Sequence, residues 1–188
     1  MAKRLFLGIL VALCFSGCAG SSAYMRPSPV LLQPTADKAL VRFMRPSGFG
    51  YAVNFNILDG EKVIGNSVAK SQFDFLAIPG KHLFIAIAEN KVFLEADLVA
   101  GKTYYIITRV YTGMWKARVA FLAITRKSEF WDKVKEYENT LVKIEPNEEA
   151  ILKWEIANRG AVNKLVSSYE TTWKNKYNWE KLGPEDGR

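Results

Sequence analysis

Short apolar or alternating runs, separated by turn residues, follow one another along the middle of the chain. Alternation with a period of two is typical of strands, and the runs are rich in Val, Ile, Phe and Tyr. The predicted strands are Ala39–Met44, Ala52–Leu58, Lys62–Asn66, Phe73–Ala77, His82–Ala88, Val92–Leu98, Thr103–Tyr111 and Arg118–Thr125. The pattern predicts a strand-rich domain over residues 37–125.

The turns between these runs are short. Asp59-Gly60 is a strong hairpin signal, because both residues tolerate the positive φ of a type I′ turn. Pro79-Gly80 and Gly101 separate further pairs. Connections this short favour antiparallel neighbours. We therefore predict a mainly β fold, an antiparallel β-sandwich of about seven or eight strands.

A longer, helical period begins at Arg126. Ser128 is placed to cap a helix from Glu129 to about Val142, and Asn147 to cap a second from Glu148 to about Trp179. The sequence thus predicts a helical extension over residues 126–182, α+β overall, and a disordered tail over 183–188.

The first residues have the order of a secretory signal peptide. Lys3 and Arg4 precede the apolar run Leu5–Phe15, and small residues lead into Cys18. The run is too short for a helix that spans the hydrocarbon core, which takes about 20 residues. We predict a signal peptide over residues 1–17 that is cleaved.

The tetrapeptide Phe15-Ser16-Gly17-Cys18 resembles the lipobox of bacterial lipoproteins. The resemblance implies lipid, including palmitate, on Cys18, and a cell-envelope location; Ala19 resembles the pattern that sorts to the outer membrane, facing the periplasm. The alternative is an ordinary secretory leader with Cys18 as a free thiol. Residues 18–36 contain three prolines and read as the lipidated cysteine and a flexible tether without fixed structure.

Cysteine usage restricts the chemistry. The chain has two cysteines, Cys14 in the leader and Cys18 at the predicted lipidation site. Cleavage and lipidation would leave none for a disulfide, a thiol nucleophile or a thiolate metal site. We expect no cofactor and no metal.

Part of the strand-rich segment resembles an uncharacterised lipoprotein family, domain of unknown function twenty-eight forty-six. The resemblance covers residues 37–110 and rests on Ala39–Pro46, Leu58–Val63, Ile78–His82 and Ala100–Ile106. These landmarks are turns and strand ends rather than reactive groups. The resemblance therefore implies a fold and no activity.

The net charge is +7, of which Lys3 and Arg4 supply two, so +5 remains after the leader. The excess lies on the strand-rich part. No nucleic-acid motif accompanies the basic residues, and the expected location is outside the cytoplasm, so we expect no nucleic-acid partner. Attraction to anionic lipid headgroups or cell-wall polymers and a merely solvated basic surface both remain open.

Catalytic candidates are few. His82 is the single histidine, and we interpret it as an ordinary surface residue. Glu95 and Asp97 alternate on one predicted strand and share a face, an arrangement that paired carboxylates of glycosidases also use. The alternative reading is that both acids lie on the solvated face of a half-covered sheet.

Five tryptophans offer stacking surfaces, namely Trp115, Trp131, Trp154, Trp173 and Trp179. Their rings could line a groove for sugar or peptide, but helical spacing favours core packing of Trp131, Trp154 and Trp173. The remaining candidate is a possible interaction surface at the membrane or on a partner. It comprises Tyr177, Trp179, Lys174 and Lys176.

These observations predict a membrane-anchored envelope lipoprotein that acts as a non-enzymatic binding or assembly module. Its partners would be the membrane, through lipid on Cys18, and an envelope protein or cell-wall component. The alternative function is an envelope enzyme, such as a glycan hydrolase, that uses Glu95 and Asp97.

Overall fold

Two facing β-sheets form the centre of this computed structural model, which describes residues 22–113 and 117–188. The strands are β1 Met25–Pro27, β2 Ala39–Arg45, β3 Phe55–Asp59, β4 Lys62–Ser67, β5 Ser71–Ala77, β6 Gly80–Ile87, β7 Lys91–Leu98, β8 Thr103–Thr112, β9 Ala117–Ala123, β10 Val142–Pro146 and β11 Glu180–Leu182. The helices are α1 Val134–Thr140 and α2 Glu148–Ser167. A π-helical turn at Tyr169–Trp173 and a 3₁₀ turn at Pro184–Asp186 follow.

Both sheets are mixed, so the prediction of an antiparallel arrangement is wrong. The first sheet has the order β1-β10-β5-β2-β8-β9, and the second β11-β7-β6-β3-β4. Three pairs are parallel, namely β2 with β8, β10 with β5, and β11 with β7. Short turns impose antiparallel pairing only on strands adjacent in sequence, whereas these three pairs join distant parts of the chain.

The eight runs predicted as strands form β2 to β9, with ends shifted by up to three residues. The described residues contain three more strands, so the predicted number of seven or eight is too low. Two of the three come from the segment predicted to be wholly helical. Residues 126–182 are therefore not a separate extension, because β10 and β11 belong to the two sheets.

The helices are shorter than predicted. Helix α1 begins at Val134, and Ser128 does not cap it. It stops before β10, where the amide of Val142 donates to the carbonyl of Lys70. Asn147 caps α2 as predicted, its side chain accepting from the amide of Ala150. That helix ends at Ser167 instead of continuing to Trp179.

The segment predicted as a flexible tether is ordered where the structure describes it. β1 pairs with β10, with Met25 opposite Pro146, and the Leu32 amide donates to the Asp74 carboxylate at 2.6 Å. Residues 22–36 therefore lie along the edge of the first sheet. Without this segment, β10 would be an edge strand with unpaired backbone groups. An extended, proline-rich segment can pair with such an edge along one of its own sides.

The tail is ordered too, contrary to the prediction. Arg188 and Thr103 exchange backbone hydrogen bonds at 2.8 and 3.0 Å, and the Arg188 guanidinium lies 3.8 Å from the centre of the Trp131 ring. The Asp186 side chain accepts from the Gly183 amide at 2.8 Å and is buried. These contacts fix residues 183–188 against β8 and the α1 segment.

Three apolar clusters give the molecule four layers. The largest lies between the sheets and includes Phe43, Ile57, Phe84 and Tyr104. A second packs α2 and the π-helical turn on the outer face of the second sheet. A third packs the α1 segment on the outer face of the first sheet. Both sheets are thus covered on both faces.

A buried ion-pair network joins the N-terminal segment, the first sheet and α1. The Arg42 guanidinium contacts Asp74 at 2.7 Å and also Glu138, and it donates to the Leu32 carbonyl at 3.0 Å. The Tyr105 hydroxyl donates to Glu138 at 3.0 Å. Arg42 and Asp74 are each about 95% buried, with side-chain exposures of 4% and 5%. Removing the cation would leave two carboxylates facing each other without compensation.

We predict that Arg42→Met lowers the free energy of unfolding by about 3–5 kcal/mol, because a buried pair that loses one partner leaves an uncompensated charge. The matched control is Arg26→Met, which breaks the exposed pair with Glu145 and should cost less than about 1 kcal/mol. Urea unfolding of both variants measures the difference. Equal losses would contradict the structural role assigned to Arg42.

Candidate ligand-binding groove

An aromatic cluster fixes the chain where it leaves α2. Phe93 of β7 contacts Tyr169, Trp173 and Trp179, with ring centres 4.9, 5.8 and 5.2 Å away. The indole N–H of Trp179 donates to the carbonyl oxygen of Trp173 at 2.7 Å. Together these contacts turn the segment back onto the second sheet, where β11 pairs with β7.

A groove of about 510 Å³ lies between this segment, the β6–β7 turn and the β8–β9 hairpin. Aromatic rings and basic side chains contribute much of its wall. The aromatic residues are Phe93, Tyr111, Phe121, Trp173, Tyr177 and Trp179, and the basic residues are Lys91 and Arg118. We call this site the aromatic groove, and its lining is of the mixed apolar and polar kind found in binding clefts.

The cations of the groove lie against its rings. The ammonium groups of Lys91 and Lys176 are 5.3 and 4.9 Å from the centre of the Trp173 ring, and Lys176 is 5.7 Å from that of Tyr177. Such cation–π contacts hold a charge near an aromatic face without neutralising it. Among the described residues, neither these lysines nor Arg118 forms an ion pair.

The structure brings together three of the four residues predicted as an interaction surface. Tyr177 and Trp179 line the groove, with Tyr177 57% exposed and Trp179 half-buried, and Lys176 lies beside it against the Tyr177 ring. Lys174 points elsewhere and pairs with Glu170 at 2.8 Å. Lys174 therefore lies outside the groove, because the helical spacing of i to i+4 directs it toward Glu170 along the helix surface.

Other tryptophans pack as predicted from their spacing. Trp154 and Trp173 lie half-buried beneath the α2 layer, and Trp131 lies in the α1 layer. Trp115 falls outside the described residues, and so does Cys18.

Lys91, Tyr111 and Arg118 were not identified as site residues from the sequence. Each lies on a strand end more than 50 residues away from Tyr177 in the chain. The three residues meet Tyr177 only because β7, β8 and β9 bring their ends to the same side of the molecule. All three occupy exposed positions of strands, and the sequence pattern does not distinguish such positions at a binding site from other exposed strand residues.

The β9 edge beside the groove is already hydrogen bonded. The Asn90 side chain donates to the Val119 carbonyl at 2.8 Å and accepts from its amide at 2.9 Å. The Glu180 carboxylate accepts from the Ala123 amide at 3.0 Å. These side chains satisfy backbone groups of an edge strand that would otherwise accept another strand.

Glu95 and Asp97, the carboxylates of the enzymatic alternative, lie on β7 outside the aromatic groove. Glu95 accepts from Lys181 at 2.9 Å and from the Tyr169 hydroxyl at 3.0 Å. Its hydrogen bond with Lys181, chiefly, holds the pKa of Glu95 below its ordinary value. A lowered pKa makes this carboxylate poorly suited to the general-acid role in a glycosidase. Asp97 is exposed.

His82 is not the ordinary surface residue that the sequence suggested. Its side chain is 8% exposed, and its two ring nitrogens lie 2.7 Å from the Asp59 carboxylate and 2.7 Å from the Ile78 carbonyl. Both neighbours are acceptors, so the doubly protonated ring fits best. The hydrogen bond to Asp59 raises the pKa of His82, while burial opposes the rise.

No protein-family model, no curated protein and no solved structure matches this chain. The resemblance of residues 37–110 to an uncharacterised lipoprotein family therefore stays a prediction. Among the residues that the structure describes, no helix is long and apolar enough to cross a membrane. Within the same residues, no group of three or more His, Cys, Asp or Glu side chains is arranged to hold a metal ion.

We predict that the stability supplied by protonated His82 is present below pH 6.5 and is lost as the pH rises through its higher folded-state pKa. Asp59→Asn should lower that pKa and weaken this pH dependence, because it removes the anion that favours the charged ring. Nuclear magnetic resonance titration follows the single histidine directly. A wild-type pKa at or below 6.5, or one unmoved by Asp59→Asn, would contradict the assignment.

Proposed function

We propose that this chain is a lipid-anchored lipoprotein of the cell envelope, located at the outer membrane facing the periplasm, and a non-enzymatic binding or assembly module. The lipobox-like sequence at Cys18 supports the anchor. The aromatic groove supports the binding role, and it is the observation that carries the proposal. Exposed aromatic rings beside cations without an ion-pair partner are typical of binding surfaces, because covering the apolar ring faces is favourable and the cations can meet anionic groups of a ligand.

The position of the chain before β1 supports a definite orientation on the membrane. The amide of Asn147, which caps α2, donates to the Tyr24 carbonyl at 2.9 Å. Three residues lie between Cys18 and Ser22, and the four peptide units that join the two reach at most about 14 Å. A lipid on Cys18 would therefore hold the N-terminal end of α2 close to the bilayer.

The groove lies at the other end of that helix. The 20 residues of α2 span about 30 Å, and the π-helical turn that carries Trp173 comes after them. The helix thus acts as a spacer between the anchor and the groove. The module would present the groove away from the bilayer to which the lipid attaches.

Geometry gives the enzymatic alternative little support. Glu95 is engaged by Lys181 and Tyr169, and its lowered pKa suits an ion pair rather than a proton donor. These contacts give the carboxylate a structural role, tying β7 to β11 and to the π-helical turn. We therefore propose a binding function without turnover.

Replacement of the predicted lipidation site tests the anchor. Cys18→Ser should move the protein from the membrane fraction to the soluble fraction and abolish its labelling with a fatty acid. Cys14→Ser is the matched control, because the leader cysteine should affect neither readout.

The proposal would be overturned if the Cys18→Ser protein stayed in the membrane fraction after a salt wash. It would also be overturned if the wild-type protein took up no fatty acid. Quantitative immunoblots of the fractions and the label measure both outcomes.

A further inference from the structure

We infer that the aromatic groove binds an acidic saccharide chain, whose rings stack on its tyrosines while its carboxylates meet its lysine and arginine side chains. The inference rests on the proposed binding function and names the class of ligand. Three observations support it: the exposure of the rings, the charge of the groove and the hydrogen bonds already made along the edge of β9.

Two exposed rings are available for stacking. Tyr177 is 57% and Tyr111 is 44% exposed, and both line the groove. The flat apolar face of a sugar ring fits against an aromatic face, and its hydroxyl groups stay at the rim in water. The Trp173 ring is half-buried between Lys91 and Lys176, whereas Tyr177, although Lys176 also approaches it, is more than half exposed. Tyr177 and Tyr111 are therefore the ligand-stacking residues.

The charge of the groove favours an acidic ligand. Lys91, Arg118 and Lys176 are exposed and form no ion pair among the described residues. Of the two acids in the lining, Glu180 already accepts the Ala123 amide. This leaves Glu89 as the remaining acid against two lining cations, Lys91 and Arg118, with Lys176 close to the Tyr177 ring. A polymer with a carboxylate on each sugar would supply the missing anions.

The edge of β9 disfavours a peptide as the ligand. A peptide usually binds beside a sheet by adding a strand to unpaired backbone groups. Here the side chains of Asn90 and Glu180 already occupy backbone groups at Val119 and Ala123. The groove can still bind a ligand through its aromatic rings and charged side chains, as proteins that bind glycans do.

Location disfavours the anchoring membrane as the ligand. The groove lies beyond the C-terminal end of α2, about 30 Å along that helix from the residues next to the anchor. With a tether that reaches at most about 14 Å, this end would meet the same bilayer only if α2 lay along the membrane surface. The groove is also concave, whereas residues that insert into a bilayer must protrude.

Calorimetry with the purified full-length chain in detergent tests the inference. The probes are a hexamer of galacturonate, the neutral maltohexaose and a hexamer of glutamate, at low and at raised salt. We expect the galacturonate hexamer to bind at least about tenfold more tightly than either other probe. Its affinity should fall as salt rises, because screening weakens the contacts of its carboxylates.

Single substitutions locate the site. Tyr177→Ala and Arg118→Ala should each weaken galacturonate binding by about tenfold, a loss of roughly 1.4 kcal/mol. The matched controls are Tyr51→Ala, which removes a tyrosine that is 70% exposed on the loop after β2, and Lys135→Ala, which removes an exposed cation of α1. Neither control should change the affinity. Circular dichroism shows that each variant is folded.

Three results would overturn the inference: no binding of the galacturonate hexamer, equal binding of either other probe, or equal effects of Tyr177→Ala and Tyr51→Ala. Tighter binding of the glutamate hexamer that depends on Tyr177 would leave the proposed binding function standing and assign the groove to acidic peptides. The anchor is tested separately by fractionation, so its failure is distinguishable from failure here.

Discussion

The contact between Phe93 and the residues that follow α2 determines the shape of the candidate site. Phe93 lies on a central stretch of β7 and is fully buried, and three aromatic rings from residues 169–179 pack around it. Aromatic pairs at these separations contribute about 0.5–1.5 kcal/mol each beyond the area that they bury. The chain therefore leaves the helix, turns back and pairs as β11, and the groove is the space that this turn leaves open.

Buried arginines connect the outer segments to the first sheet. Arg42 donates to the Leu32 carbonyl of the N-terminal segment and pairs with Asp74 of β5 and Glu138 of α1. Arg45, at 1% exposure, has carbonyl oxygens of Phe49, Gly50 and Val53 as acceptors and no carboxylate. Burial lowers its pKa to about 10. Each guanidinium offers five donors in a fixed plane, so one side chain orders a loop that has little apolar surface of its own.

The sequence was most informative where local signals decide the structure. Alternating apolar residues located β2 to β9, and Asn147 located the start of α2. The strands β10 and β11 carried no such signal, because each is short and pairs with a strand distant in sequence. The same reason explains the parallel pairs. Nothing local distinguishes the polar tail from a disordered one, although its contacts with Thr103 and Trp131 order it.

The candidate site was predicted in part. Exposed aromatic and basic residues near the C-terminal end suggested Tyr177 and Lys176 as an interaction surface, and both lie at the groove. Lys91 and Arg118 reach it only through the arrangement of the sheets, which single-sequence patterns do not encode. Alternation along β7 left Glu95 open to a catalytic reading, and its contacts with Lys181 and Tyr169, which favour a structural role, are not encoded in that pattern.

Hydrogen exchange of the segment after α2 is the most direct test of whether the Phe93 cluster builds the groove. Phe93→Leu keeps an apolar side chain but removes the ring contacts, and Phe75→Leu, at a half-buried position of β5, is the control. In Phe93→Leu we expect the hydrogen-bonded amides of Thr172, Lys174 and Lys176 to exchange at least about tenfold faster, while β2, β5 and β8 keep their protection. Unchanged protection of these three amides in Phe93→Leu would contradict the account.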